Sequence, residues 1–186
     1  LHDGRIRDKD KSRVVESDCR FGDPQTPPLR MRMKNDIVPV MQAVIHGGLD
    51  KCRVEIDPRP AVCVVMAAGG YPGAYDKGAQ ISGLANANRM KDVMVFHAGT
   101  AEKNGSMVTA GGRVLGVTAL GDNIAKAISR AYKAVEKISW KNAHFRTDIG
   151  AKAKKRLSVA PAVGIIMGSD SDLPVMSAAA DLLKRF

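Results

Sequence analysis

The chain has 186 residues, 45% hydrophobic and 26% charged, and its 29 lysines and arginines outweigh 19 aspartates and glutamates for a formal net charge of +10. That length suits one domain, or one and part of a second, and no apolar stretch approaches the roughly 20 residues that cross a bilayer, so no membrane segment is expected. The cationic excess favours phosphate-bearing partners, small or polymeric, and equally fits a solvated surface.

The chain starts at Leu1, and its first residues, LHDGRIRDKDKSR, hold no apolar run of signal-peptide type; a fragment, a processed product or an incomplete N-terminus is expected. Val14 and Val15 then read as a short strand entering a Gly- and Pro-rich loop, ESDCRFGDPQTPP. From Leu29 to Ile45 the apolar residues Met33, Ile37, Val40, Met41 and Val44 recur at helical spacing, which predicts one helix, kinked at Pro39 and stopped by Gly47 and Gly48.

Strands are predicted at Arg53–Asp57, from Ala61 (AVCVVMAAG), from Val93 (VMVFHAG), from Ser106 (SMVTA) and from Arg113 (RVLGVTALG). Asn104-Gly105 is a tight-turn signal and implies antiparallel pairing around it. Asp122 is the predicted N-cap of a helix over 123–138, with Ile124, Ala127, Ile128, Ala131, Val135 and Ile138 on one face. GAKAKKRLSVAP, 150–161, has linker composition, and a strand and a helix from about Leu173 follow it. The fold class expected is α+β, with the start of a second, α/β domain after the linker.

Cys19, Cys52 and Cys63 show no CxxC spacing and no histidine at metal-site spacing, which argues against a zinc module or a disulfide framework and for a reducing interior, cytoplasmic or organellar. In VVESDCRFGDP, Glu16 and Asp18 are two apart on an extended segment, so both point to one side, where two oxygens suit Mg²⁺; alternate acids at a strand end are also ordinary surface. Gly111 and Gly112 would let backbone N–H groups approach a ligand while Arg113 supplies a phosphate or carboxylate partner; a tight turn with a solvated arginine fits as well. His97 is a possible base, and a histidine satisfied structurally is the plainer reading.

ESDCRFGDPQTPPLRMRMKNDI, VVMAAGGYPGAYDKGAQISGL, the block from VFHAGT through GGRVLGVTALG to KISW, and FRTDIG together resemble the C-terminal part of glycinamide ribonucleotide synthetase, also called phosphoribosylamine–glycine ligase. The resemblance runs from about Val14 to Gly150. It implies an ATP-grasp carbon–nitrogen ligase of purine synthesis that joins glycine to phosphoribosylamine with ATP and Mg²⁺ or Mn²⁺. It assigns the metal to Glu16 and Asp18, with Ser17 where the family has an aromatic residue, and the catalytic substrate loop to Arg20 and Asp23. Gln25 stands where the family has glutamate. Arg113 falls in the stretch near the substrate pocket.

VGIIMGSDSDLPVMSAAADLLKRF resembles the start of the phosphoribosylaminoimidazole carboxylase catalytic subunit, N5-carboxyaminoimidazole ribonucleotide mutase type, a flavodoxin-like fold. That resemblance implies nucleotide contacts by Ser169 and Asp172; a capped helix explains the same residues. The expected organisation is the end of an ATP-grasp domain over 1–28, a linking helix and ligase C-terminal domain over 29–150, a basic linker over 151–161 and a truncated carboxylase start over 162–186. Such a piece, separated from the ATP-grasp half of the same polypeptide, is expected to be inactive by itself. A rival of another class is a non-catalytic remnant serving as a structural subunit of an RNA-containing assembly such as an organellar ribosome, its Lys152–Arg156 cluster facing RNA.

Overall fold

The structure, a computed structural model, describes residues 2–8, 11–18, 21–159 and 177. The chain divides into two compact units, Leu1–Lys152 and Ala153–Phe186. The first opens with an antiparallel pair, β1 (His2–Asp8) and β2 (Lys11–Asp18). Two short helices follow, α1 (Thr26–Arg32) and α2 (Ile37–Ile45), then a single 3-10 turn at Leu49–Lys51.

Beyond Ala61 the chain builds a sheet with a helix on it. β3 (Ala61–Ala67), α3 (Leu84–Asn88), β4 (Val93–His97), β5 (Thr100–Lys103), β6 (Ser106–Thr109), β7 (Arg113–Leu120), α4 (Ile124–Val135), β8 (His144–Phe145) and α5 (Ala151–Val159) follow in that order. The four-stranded sheet runs β4-β7-β3-β8, every neighbour antiparallel, while β5 and β6 form a separate hairpin. Asn104 and Gly105 both take positive φ, 52° and 72°, the conformation that a two-residue hairpin turn needs for its twist to match the strands.

Alternation along β3 decides the two faces. Val62, Val64 and Met66 meet Val117 and Leu115 of β7 and the Ala127, Ala131, Ala134 and Val135 face of α4, and this cluster is the core. Cys63 and Val65 point to the other face, where α1 lies across β3 and β7. The register slips between Met66 and Ala67, so that Leu115 opposes Met66 but Arg113 opposes Ala67, and Val114 is the extra residue. Unbroken alternation would send Arg113 to the core side with Leu115. The bulge buries Val114 instead and turns Arg113 to the face of Cys63 and Val65.

Several expectations are corrected. The single helix over Leu29–Ile45 is two helices, because Met33 turns extended and bridges to Ile56, and Asp36 caps the second by accepting from the Val38 N–H at 3.0 Å. Pro39 therefore falls in a first turn, where its missing N–H costs nothing, and does not kink an interior. Arg53–Asp57 forms only that isolated bridge, with Ile56 as its one paired residue. The N-cap of α4 is Asn123, whose side chain accepts from Lys126 N–H at 2.9 Å; Asp122 pairs instead with Lys126 Nζ at 2.8 Å. The helix stops at Val135, short of Ile138. Within the linker-like stretch 150–161, residues Ala151–Val159 are helical, in keeping with their Ala, Lys and Arg content. The strand expected from Val163 lies outside the described residues, as does all of the following helix except Ser177, which is helical.

Candidate functional site

On the outer face of the sheet polar side chains from distant segments converge beside two cavities. α1 packs over Gly116 of β7, where a Cβ would meet Pro27 Cγ at an ordinary 3.7 Å and Cys63 Sγ at a tighter 3.3 Å. The approach of α1 brings Asp23, just before it, over the bulge that presents Arg113. Arg113 Nη2 sits 3.4 Å from Asp23 Oδ2, and Nη1 lies 3.4 Å from the Asp23 carbonyl oxygen. The pair is about half-exposed, 45% and 55% for the two side chains, and both contacts are long for a guanidinium with five donors. Ninety positions apart in sequence, the two residues form the middle of the site.

Two cavities flank this pair and share Pro24, Cys63, Val65 and Arg113 in their walls. The first, about 330 Å³, adds Asp23, Thr26, Phe96 and His97. The second, about 370 Å³, adds Tyr71, Pro72, His144, Phe145 and Arg146. His97 has a structural partner, Thr100 Oγ1, at 3.0 Å from Nδ1, in line with its plainer reading. Burial pushes the Cys63 thiol above its ordinary range, with a smaller opposing pull from the Thr118 hydroxyl, so at neutral pH it lines the floor as a neutral group.

In the glycine pair before Arg113, the Gly112 carbonyl accepts from the Ala68 N–H at 2.8 Å and the Gly111 N–H is engaged within the chain. The Gly111 N–H donates to the Gly99 carbonyl at 3.1 Å, and a Cβ on Gly112 would collide with the Tyr71 ring. Packing accounts for both glycines. Tyr71 in turn meets Tyr75 edge-on, with ring centroids 6.1 Å apart, which fixes the wall of the second cavity.

Of the other predicted residues, Glu16 and Asp18 fall on β2, opposite Gly4 and His2 in the register. Arg20, Ser169 and Asp172 lie outside the described residues. Among the described residues no three His, Cys, Asp or Glu side chains gather as a metal set, and no helix is long and apolar enough to cross a membrane. Tyr71, His144 and Arg146 line the second cavity and are not among the residues singled out from the sequence. Tyr71 and Arg146 lie in two of the blocks that carry the family resemblance, while strand β8, which holds His144, is two residues long and shows no period of its own.

Comparisons with known proteins point to one family. Residues 61–152 match the family described as "Phosphoribosylglycinamide synthetase, C domain". The chain is 54% identical over 142 residues to the phosphoribosylamine–glycine ligase of Rhodopirellula baltica, covering 76% of this chain and 32% of that protein. It is 48% identical over 157 residues to the same-named ligase of Pseudomonas aeruginosa, covering 84% of this chain and 36% of the relative. The crystal structure of the phosphoribosylamine–glycine ligase of Thermotoga maritima superposes with a TM-score of 0.62 at 32% identity, over 79% of this chain and 36% of that one. The chain therefore spans about a third of the length of the relatives it matches.

Proposed function

Residues 61–152 form a phosphoribosylglycinamide synthetase C domain, and from that premise we propose that the chain is the C-terminal third of a phosphoribosylamine–glycine ligase of purine biosynthesis, working in the cytoplasm. The reaction would join the glycine carboxyl to the amine of 5-phosphoribosylamine at the expense of ATP. The observation that carries this reading is the Arg113–Asp23 pair, which joins the RFGDP loop to the GGRV stretch on one half-open sheet face beside two cavities.

In this reading Asp23 and Arg20 hold the glycine or amine end of the substrates, and Arg113 takes an anionic group through its planar donor fork. Glu16 and Asp18 would hold Mg²⁺ or Mn²⁺, since two carboxylates are the hard oxygen donors those ions take. The ion would offset phosphate charge on ATP. Residues 162–186 are read as the start of a fused carboxylase or mutase domain, with Ser169 and Asp172 on its nucleotide. The RNA-assembly alternative finds no support in the relatives named above.

A chimera tests the ligase reading. The R. baltica ligase would have its C-terminal third replaced by residues 14–152 of this chain, and ATP-dependent formation of glycinamide ribonucleotide would be followed. Activity within about tenfold of the parent, lost in Asp23→Asn, supports the reading. A folded but inactive chimera overturns it.

A further inference from the structure

Seven residues long and with no buried side chain, α1 has little apolar packing to hold it where it lies across β3 and β7. Asp23, just before it, touches Arg113 only through long contacts half in water, and such a pair by itself fixes a helix weakly. The other end of α1 is fastened more firmly. The Arg32 carbonyl accepts from the Asp57 N–H at 2.6 Å, Arg32 Nε donates to the Asp57 carbonyl at 2.9 Å, and the Lys34 N–H donates to the Glu55 carbonyl at 2.9 Å.

Side chains grip that anchor in turn. Arg59 donates to the Asp57 carboxylate from Nε, 3.1 Å from Oδ1, and from Nη2, 2.8 Å from Oδ2, while its Nη1 reaches Asp92 Oδ1 at 3.0 Å. Arg130 Nη1, on α4, lies 3.1 Å from the other oxygen of Asp92 and also donates to the Leu120 carbonyl at the end of β7. Asp57, Arg59, Asp92 and Arg130 thus form a chain of alternating charge from the anchor of α1 to the start of β4 and to α4. Its side chains are 15% to 34% exposed, against 45% and 55% for Arg113 and Asp23, so water screens the chain less than it screens the pair at the site.

We propose that Arg59 is a positioning residue for the substrate loop: by bridging Asp57 and Asp92 it fastens the far end of α1 to the sheet and to α4, and so holds Asp23 over Arg113. The proposal rests on the ligase reading for the task of Asp23 and deepens it by naming what sets that carboxylate in place. At about 1.5 Å per helical residue, the seven residues of α1 span about 10 Å, short enough for a loosened far end to shift the near one. The bridge needs a planar fork, since an ammonium group is a single point charge and does not grip one carboxylate with two donors while reaching a second. Separately, the Pro60 carbonyl accepts from the Gly121 N–H at 3.1 Å, a backbone tie to the sheet that substitution of the Arg59 side chain leaves in place.

Hydrogen exchange of the full chain, followed amide by amide by NMR, tests the fastening. In Arg59→Gln the N–H groups of Thr26 and Leu29, which donate to the carbonyls of Gly22 and Gln25 at 2.9 and 3.3 Å, should exchange about tenfold faster, while the amides of β3 and β7 keep their rates. Arg59→Lys, which keeps the charge and loses the fork, should fall between the two. Unchanged exchange in α1 would overturn the proposal. So would equal acceleration in α1 and in the core strands, because Arg59 would then act on global stability alone.

In the active chimera, Arg59→Gln should raise KM about tenfold for glycine or phosphoribosylamine, whichever Asp23 holds, and leave KM for ATP unchanged. A smaller folded fraction would lower kcat and move no KM. An active chimera in which every KM stays the same defeats the positioning by Arg59 and leaves the ligase reading standing. Faster α1 exchange in Arg59→Gln, beside a folded but inactive chimera, keeps the fastening of Asp23 and defeats the ligase reading alone.

Discussion

Between Ala61 and Trp140 the apolar side chains close on one another, whereas between Phe21 and Ile56 most of them remain at the surface. Val64, Met66, Val114 and Val117 are fully buried, while Val38, Val44 and Ile45 are 52%, 58% and 78% exposed. Both regions carry helices with an apolar stripe at helical spacing. The stripe of α4 meets the sheet, and α2 has no buried residue at all. An amphipathic pattern therefore marks a face that suits burial without saying what buries it. An apolar groove of about 200 Å³ between Phe21, Leu29, Met33, Ile37, Val54 and Ile56 belongs to the same surface.

The largest test of that contrast is a pair of truncations. Met66→Ala should lower the unfolding free energy by about 2–5 kcal/mol, because its site is closed and leaves a cavity, while Ile45→Ala should cost less than about 0.5 kcal/mol. Urea denaturation measures both. Equal losses would mean that the face of α2 is covered in solution, and the contrast between the regions would break.

Two glycines of positive φ sharpen it at the next level. Gly83, at 83°, has the Lys137 carbonyl where a Cβ would go, and Gly47, at 69°, has nothing within 4 Å. Gly47→Ala should cost about 1 kcal/mol from backbone strain alone, and Gly83→Ala measurably more, since strain and collision add.

The boundary between the regions responds to acid. Arg59 donates to Asp57 and also reaches Asp92 Oδ1 at 3.0 Å, and its guanidinium bonds hold the Asp57 carboxyl down at about 2, below its ordinary value of 3.8. A depressed carboxylate stabilises the folded state above pH 3.8, and that contribution is lost as the pH falls from there through 2. Thermal unfolding followed from pH 5 to pH 2 should show the decline, and Asp57→Asn should flatten it. The smallest effect on stability is expected at the site: Arg113→Ala should change it by less than about 1 kcal/mol, because its ion pair with Asp23 is half in water. Its effect should appear in ligand binding instead. A large loss of stability in this variant would make Arg113 a structural strut between the regions.

The long strands were legible because each carries a period of two or a dense β-branched run, as in AVCVVMA and RVLGVTAL, and α4 because six apolar residues share one face. The break at Met33–Asp36 was not legible, since the apolar spacing continues across it and only Asp36, a capping residue, hints at a new start. β5 and β8 escaped for a different reason: four and two residues are too few to show a period.

The site divides along the same line. The family resemblance pointed to Asp23, and the Gly-Gly-Arg stretch to Arg113, but the face that Arg113 occupies depends on a one-residue bulge, which alternation along RVLGVTAL does not announce. His144 and Arg146 join it only because β8 pairs with the end of β3, a contact across nearly eighty positions that has no local signature. What the sequence determined by itself was which segments alternate, which turn and where charge gathers, since these follow from local backbone sterics and burial period. Which side of the sheet Arg113 occupies, and which charges share its cavities, was decided by strand register and packing, because only long-range pairing sets the direction in which a side chain points.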